Sequence, residues 1–218
     1  MQNNKETQAQ QNHKGFTQRI LNIDWSEHFP PVLSKQDSPD TEEVRLSDQE
    51  TVRNFMLQNG DYIFEKCQWQ TQFLSEEYSM GKFNYYDGVG DFFAFHAQNK
   101  IVGTFVGNVS DWSTYYLRSC AILPEFQGRG YFSKFLMKLF SVLSDNGINR
   151  AETEVSPSNI GEIYLFNKLN FNITGYRTSE RWGTSIHFTK FLNASHEKSF
   201  LDRFCDGVRP QLNQRPTQ

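Results

Sequence analysis

The spacing of hydrophobic and polar residues divides this chain into parts of different character. The first forty or so positions are dominated by Gln, Asn, Ser and Pro, and few apolar residues recur there at a regular interval. That composition is typical of a flexible segment, whereas the central part shows clear periods of two and of 3.6 residues. We therefore predict a flexible polar arm over 1–41, one folded domain over 42–192 and a C-terminal tail over 193–218.

Strand signals recur through the folded part, where β-branched and aromatic residues alternate with polar ones or form short apolar runs. The predicted strands are Glu43–Leu46, Phe92–Gln98, Ile101–Val109, Thr114–Leu123, Ala151–Val155, Phe171–Arg177 and Thr184–Leu192. Within the predicted arm, the apolar patch around Ile23, Trp25 and Phe29 could pin the segment to this domain.

Helical periodicity separates these strands. A capping box over Ser47 to Glu50 predicts a helix that stops at Asn59-Gly60, and a second helical region follows within Asp61–Met80. Further helices are predicted from Tyr131 to Asn146-Gly147 and over Asn159–Leu169, with a short one in the tail up to about Phe204.

The most informative segment follows the predicted strand Thr114–Leu123. Pro124 and Glu125 break the strand, and Gly128 and Gly130 lie immediately before the helix that begins at Tyr131. Glycine allows a sharp turn and a close approach to the backbone N–H groups, to which the helix N-terminus adds unpaired donors and partial positive charge. The segment therefore favours binding of a phosphate or pyrophosphate, although a turn without a ligand is a real alternative.

Two motifs in this chain resemble those of the GNAT superfamily, the GCN5-related N-acetyltransferases. Gln127 and Gly130 match the pyrophosphate loop Arg/Gln-x-x-Gly-x-Gly/Ala, while Phe132 stands where the family has Gly or Ala. A side chain of that size must point into the protein, or it would crowd the phosphates. The segment Asn159 to Phe171 is similar to the family's Asn-x-x-Ala-x-x-Leu-Tyr-Glu-Lys-Leu-Gly-Phe.

The resemblance implies an α/β (α+β) fold of the GNAT type, with a mixed central sheet of about seven strands, flanking helices and a splayed strand pair for CoA. It also implies acetyl-CoA as cosubstrate and direct attack of an amine on the thioester. Backbone groups near Ile122 and Leu123 would bond the pantetheine amides, and an N–H near Leu123 would stabilise the oxyanion. The residues that the resemblance assigns to CoA are Ile122, Leu123, Gln127, Gly128, Arg129, Gly130, Tyr131, Phe132, Asn159 and Phe166.

The catalytic acid and base of the family do not carry over. The tyrosine that usually protonates the departing thiolate aligns with Phe166, which has no proton to give, and the usual glutamate base falls on Tyr116. Glu152 and Glu154 share one face of the next strand, so either is a candidate base that acts directly or through water. An ordinary solvated or ion-paired carboxylate is the alternative for each.

Composition narrows the function classes. The formal net charge of −3 gives no support for a nucleic-acid partner. Three widely spaced cysteines without a C-x-x-C motif indicate reduced thiols and neither a disulfide framework nor a metal site. We found no apolar run long enough for a membrane span and no signal peptide, so we expect a cytoplasmic protein.

These observations predict an N-acetyltransferase that acts on an amine of a small molecule, amino acid or peptide. An acyl-CoA-binding protein without amine transfer, serving as a sensor or interaction module, and transfer to a carrier thiol are the alternatives. A monomer and a homodimer are both compatible with the sequence. Arg181 could meet an acidic group on the acceptor, and aromatic residues could wall its pocket or simply pack in the core: Tyr62, Phe64, Trp69, Phe73, Tyr78 and Trp182.

Overall fold

The computed structural model describes residues 23–30, 42–63, 85, 88–98, 100–179 and 183–204. The elements, in chain order, are α1 (Trp25–His28), β1 (Glu43–Leu46), α2 (Gln49–Ile63), β2 (Asp91–Ala97), β3 (Lys100–Asp111), β4 (Thr114–Ile122), a 3₁₀ turn (Pro124–Phe126), α3 (Tyr131–Asp145), β5 (Arg150–Val155), α4 (Ile160–Lys168), β6 (Asn172–Ser179), β7 (Gly183–Phe191) and α5 (Ala194–Phe204).

The seven strands form one mixed sheet in the order β1-β2-β3-β4-β5-β7-β6. Neighbouring strands are antiparallel except β4 and β5, which run parallel and are joined by α3. All seven predicted strands are confirmed, with ends that shift by no more than two residues. The prediction of a mixed sheet of about seven strands with flanking helices is therefore confirmed.

The core on one face of the sheet is built from phenylalanine rings. Phe135 of α3 lies with its ring centroid 5.1 Å from that of Phe93 on β2 and 4.8 Å from that of Phe105 on β3. Because neighbouring residues of a strand point to opposite faces, Phe92 lies on the other face, where α2 contributes Val52. The apolar stripe of α3, read from its sequence, thus packs directly over the centre of the sheet.

The segment 23–30 is held by a buried carboxylate, although it lies in the predicted arm. Nε1 of Trp25 donates to Oδ1 of Asp91 at 2.9 Å, and the Tyr115 hydroxyl donates to Oδ2 of Asp91 at 3.1 Å. Trp25, Phe29 and Ile23 are buried. The prediction that this apolar patch pins the segment to the domain is confirmed.

Two details of α2 differ from the sequence prediction. The N-cap is Asp48 and not Ser47, since Oδ1 of Asp48 accepts from the Thr51 N–H at 2.7 Å. The Ser47 N–H donates to the Phe92 carbonyl beside the sheet, so it is not available for the predicted capping box. The predicted stop at Asn59-Gly60 is also wrong, since the helix continues to Ile63. There the Asn59 side chain donates to the Phe55 carbonyl of the preceding turn, which leaves the helical backbone intact.

The remaining helix predictions have different outcomes. The three helices α3, α4 and α5 are confirmed, and α3 ends before Gly147 in the left-handed conformation at φ 83°. A second helical region is predicted within Asp61–Met80, and the part of it after Ile63 lies outside the described residues. In the part of the chain that the structure describes, no helix is long and apolar enough to cross a membrane.

Candidate active site

The central feature of the candidate site is an opening between β4 and β5. Within these two strands, which are described throughout, pairing is limited to Thr114–Tyr116 of β4 and Arg150–Glu152 of β5. The hydroxyl of Thr153 then donates to the Leu117 carbonyl at 3.0 Å, and beyond this point the strands diverge. The second half of β4 consequently pairs with β3 alone and presents its other edge to the opening.

The loop between β4 and α3 lies at the end of this opening. Gly128 and Gly130 have φ of 73° and 86°, in the left-handed region that glycine adopts without strain. The backbone N–H groups of Gly128, Arg129, Gly130, Tyr131 and Phe132 donate to no described residue. Unpaired amides at the start of a 15-residue helix are an arrangement that binds phosphates in other proteins, and pyrophosphate binding by this loop stays a prediction.

The side chains of the loop stabilise its shape. Nε2 of Gln127 donates to the Ile122 carbonyl at 2.8 Å, which ties the loop to the end of β4. Nη2 of Arg129 donates to the Glu125 carbonyl at 2.8 Å, and its guanidinium lies 4.8 Å from the centre of the Phe126 ring. Tyr131 is buried. The side chains of these three residues thus turn back onto the protein. The backbone N–H groups of Arg129 and Tyr131 have no described acceptor, whereas that of Gln127 donates to the Pro124 carbonyl at 3.2 Å.

The backbone at Ile122 and Leu123 differs from the sequence expectation. The Leu123 N–H donates to the Val102 carbonyl at 2.9 Å, and the Ile122 carbonyl accepts from Gln127. The Leu123 N–H is itself unavailable to the oxyanion, because β3 continues to pair with the chain after β4 ends, and a donor near Leu123 stays a prediction. A contact of either residue with the pantetheine arm stays a prediction.

The two aromatic departures from the family pattern both point into the protein. Phe132 is partly buried and packs against Phe105, with ring centroids 5.9 Å apart. Of the two orientations that the sequence left open for Phe132, the structure shows the inward one, which does not crowd the phosphate loop. Phe166 is 0 % exposed, so its ring offers no surface to a ligand in this conformation. Its neighbours are the rings of Phe132, Phe171 and Phe188.

The start of α4 carries a residue that the sequence reasoning missed, Glu162. Asn159 is the N-cap: its Oδ1 accepts from the Glu162 N–H at 3.2 Å, and its Nδ2 donates to Oε2 of Glu162 at 2.8 Å. Burial raises the pKa of the Glu162 carboxyl to about 7. Burial raises the pKa of the Cys120 thiol on β4, and the charge of Glu162 raises it further. The available signal was a glutamate where the family motif has alanine.

The candidate bases lie beside Tyr116, at the point where the strands separate. Glu152 contacts Arg150 at 3.1 Å and His187 at 3.5 Å, and Glu154 accepts from Arg177 at 3.1 Å and Ser185 at 2.9 Å.

The pKa of the Tyr116 hydroxyl depends on the charges of both of these glutamates. Burial raises the pKa of Tyr116, and the charge of Glu154 raises it more than that of Glu152 does. Glu154 therefore has the stronger electrostatic coupling to this hydroxyl.

A cavity of about 200 Å³ lies between α2 and the sheet, on the face opposite α3. Arg118 and Ser119 of β4 line it next to the opening, together with Val52, Phe92 and Val106. Of the aromatic residues predicted for an acceptor pocket, Tyr62 is exposed at the end of α2. The others, and Arg181, lie outside the described residues: Phe64, Trp69, Phe73, Tyr78 and Trp182. The described residues include no cluster of three side chains that could hold a metal ion.

Comparison with known proteins agrees with this architecture. The sequence profile of the acetyltransferase (GNAT) family matches residues 61–171. The N-alpha-acetyltransferase MAK3 of Arabidopsis thaliana is 29% identical over 106 residues, which cover 46% of this chain and 55% of that protein. The chain thus spans little more than half the length of this relative.

Two solved structures share the fold at low sequence identity. The ribosomal-protein-S18-alanine N-acetyltransferase from Escherichia coli has a TM-score of 0.53 and 17% identity over 70% of this chain and 95% of its own. The protein yncA from Salmonella typhimurium, solved with its cofactor acetyl-CoA, has a TM-score of 0.53 and 14% identity over 70% of this chain and 95% of its own. With a family profile that matches half of its residues, this chain belongs to the acetyltransferase (GNAT) family, a family of acyltransferase enzymes.

Proposed function

We propose that this protein transfers an acetyl group from acetyl-CoA to an amine, with the N-terminal α-amino group of a peptide as the first acceptor to test. The observation that carries the proposal is the combination of an open β4–β5 edge with a loop of unpaired amides at its end. The similarity to MAK3, an N-alpha-acetyltransferase, supports the choice of acceptor class. The free thiol of Cys120 supports a cytoplasmic setting.

The chain offers suitable groups to each part of CoA. The N–H groups of Gly128 to Phe132 would bind the pyrophosphate, and the inward turn of the Phe132 ring leaves the space before them open. The pantetheine arm of CoA would run along the unpaired edge of β4. Its amide groups can take the place of a neighbouring strand there and bond the backbone groups of β4. Acetyl-CoA bound to the similarly folded yncA supports this assignment. When acetyl-CoA is bound, its thioester supplies the acetyl group.

The acceptor amine would enter from the cavity beside Arg118 and Ser119, because this cavity adjoins the open half of β4. Glu154 is our preferred proton acceptor for the amine, acting directly or through Tyr116 or water. Its carboxylate is oriented by Arg177 and Ser185 and is coupled to the Tyr116 hydroxyl. Positioning of the amine against the thioester would supply much of the rate enhancement.

A second candidate function is acyl-CoA binding without amine transfer. The fully buried Phe166 favours it, since this side chain occupies the family's proton-donor position and has neither a hydroxyl nor an exposed surface. Such a protein would act as a sensor or an interaction module.

The decisive experiment combines calorimetric titration with acetyl-CoA and a transfer assay on peptides that differ in their first residue. Mass spectrometry would detect an added acetyl group, and the same peptides with a formylated N-terminus would serve as controls. Micromolar binding with acetylation of free N-termini alone supports the proposal. Binding without transfer to any peptide or small amine supports the second candidate, and no binding of acetyl-CoA or CoA contradicts both.

A further inference from the structure

The first turn of α4 brings a carboxyl group to the side of the helix that faces the sheet. Glu162 and Phe166 are four residues apart and therefore lie on one face of the helix, one turn from each other. The ring of Phe166 contacts Phe188 of β7 and Phe132 of α3, so this face points into the protein. Glu162 extends from the same face and lies nearer to the helix N-terminus.

The Glu162 carboxyl lies near the free edge of β4. Its charge affects Cys120, which belongs to the half of β4 that has no β5 partner. Oε2 accepts from Nδ2 of Asn159 at 2.8 Å, whereas Oε1 accepts no hydrogen bond from a described residue. The extended pantetheine arm of acetyl-CoA, running along this edge from the Gly128 loop toward Tyr116, would pass Cys120. It would consequently pass Glu162 as well.

The surroundings of Glu162 suit proton transfer at neutral pH. Burial raises the pKa of its carboxyl to about 7, so about half of the molecules carry the proton at that pH, whereas an exposed glutamate is almost fully ionised. The polar and titratable groups that face it are Asn159 of its own helix and the Cys120 thiol of β4. None of the ion pairs of the described part includes Glu162.

We propose that Glu162 donates the proton that the departing thiolate of CoA receives, in place of the hydroxyl that Phe166 lacks. This inference rests on the proposed function. The amine nitrogen forms a bond to the thioester carbon and releases a proton to Glu154 or water, and the carbon–sulfur bond breaks. The sulfur then takes the proton of Glu162, and the carboxylate regains one from solvent. A donor with a pKa near the working pH is well matched to this step.

The test compares the wild type with Glu162→Gln and with a control, Glu197→Gln. Glu197 lies in α5 and contacts Asn172, away from the opening. The first measurement needs no acceptor: with saturating CoA, confirmed by calorimetry, iodoacetamide alkylates the bound thiol, and mass spectrometry follows the rate from pH 6 to 9. An ionised Glu162 beside the sulfur disfavours the thiolate, so Glu162→Gln should alkylate about fivefold faster at pH 8.

The second measurement is the pH profile of acetyl transfer. In the wild type, kcat should fall as pH rises through about 7, since Glu162 loses its proton. Glu162→Gln should lack this limb and lose about 10²-fold in kcat with little change in the KM for acetyl-CoA. Glu197→Gln should match the wild type in both measurements.

The outcomes separate this inference from the proposed function. If the wild type binds and transfers but Glu162→Gln matches it in kcat and pH profile, Glu162 is not the donor, and the proposed function stands. Unchanged alkylation of bound CoA in the variant overturns the placement of Glu162 beside the sulfur. A wild type that binds no CoA, or binds it without transfer, contradicts the proposed function and this inference together.

Discussion

Phe132 and Phe166 contact each other edge to face, with ring centroids 6.4 Å apart and ring planes at 75°. Each is a departure from the family's sequence pattern, and no local pattern connects them because they are 34 positions apart. The contact shows that the large residue at the start of α3 and the missing hydroxyl on α4 belong to one packing arrangement. We infer that the two residues fill the interior beside the opening jointly.

This contact predicts a coupling between the two positions. In a double-mutant cycle of Phe132→Ala and Phe166→Ala, the free energies of unfolding should be non-additive by about 0.5–1.5 kcal/mol, as for other aromatic pairs. A cycle of Phe132→Ala with Phe200→Ala is the control, because Phe200 packs against Phe191 and Phe204. Urea denaturation measures both cycles. Equal non-additivity in the two would contradict a direct contact.

The glycine loop predicts a change in CoA binding with a matched control at the other end of α3. Gly130 and Gly147 both have positive φ, 86° and 83°, so a valine costs each a similar backbone strain. Only Gly130 belongs to the loop of unpaired amides. We expect Gly130→Val to weaken CoA binding by more than about tenfold in calorimetry, with Gly147→Val close to the wild type. Normal binding by a folded Gly130→Val protein would remove the loop from the site.

The two glutamates of β5 give a prediction about the base. Glu154→Gln should lower kcat/KM for the amine by about 10²–10⁴, since Glu154 is the carboxylate more strongly coupled to Tyr116. Glu152→Gln should have a much smaller effect, because the charge of Glu152 contributes less to the pKa of Tyr116 than that of Glu154 does. Steady-state kinetics on both variants decides the matter. The reverse order of effects would transfer the assignment to Glu152.

The raised pKa of Glu162 predicts how stability depends on pH. Between its ordinary value of 4.5 and about 7, the unfolded chain releases this proton before the folded one does, so the free energy of unfolding falls as pH rises. Glu162→Gln removes this penalty. The variant should gain about 1–2 kcal/mol relative to the wild type on going from pH 5 to pH 8, measured by urea denaturation. A gain that does not change with pH would mean that the carboxyl titrates normally.

The buried carboxylate of Asp91 predicts how strongly residues 23–30 are attached. Trp25→Phe removes a donor to Asp91 and leaves Oδ1 without that bond in the core, which should cost about 1.5–3 kcal/mol of unfolding free energy. Trp112→Phe is the control, since Trp112 is 91% exposed and its substitution should cost little. If both substitutions have the same small effect, segment 23–30 contributes little to the stability of the domain.

Local patterns along the chain were sufficient for the elements and for the glycine turn before α3. The stripe of α3, the strand alternation and Gly128 with Gly130 depend on residues only a few positions apart, so period and turn chemistry reveal them. The predicted end of α2 was wrong for a reason that is also local. Asn59-Gly60 carries a stop signal, but a side-chain bond from Asn59 to the preceding turn keeps the helix continuous.

The sequence by itself determined the fold, the order of the elements and the glycine turn before α3, because each follows from neighbouring residues or a local motif. Only the tertiary structure decided that the Leu123 N–H is bonded to Val102, that Phe132 meets Phe166, and that the Glu162 carboxyl lies near Cys120. These relationships join residues that are distant along the chain. Their burial and partners depend on how the sheet opens between β4 and β5, and no local period records that.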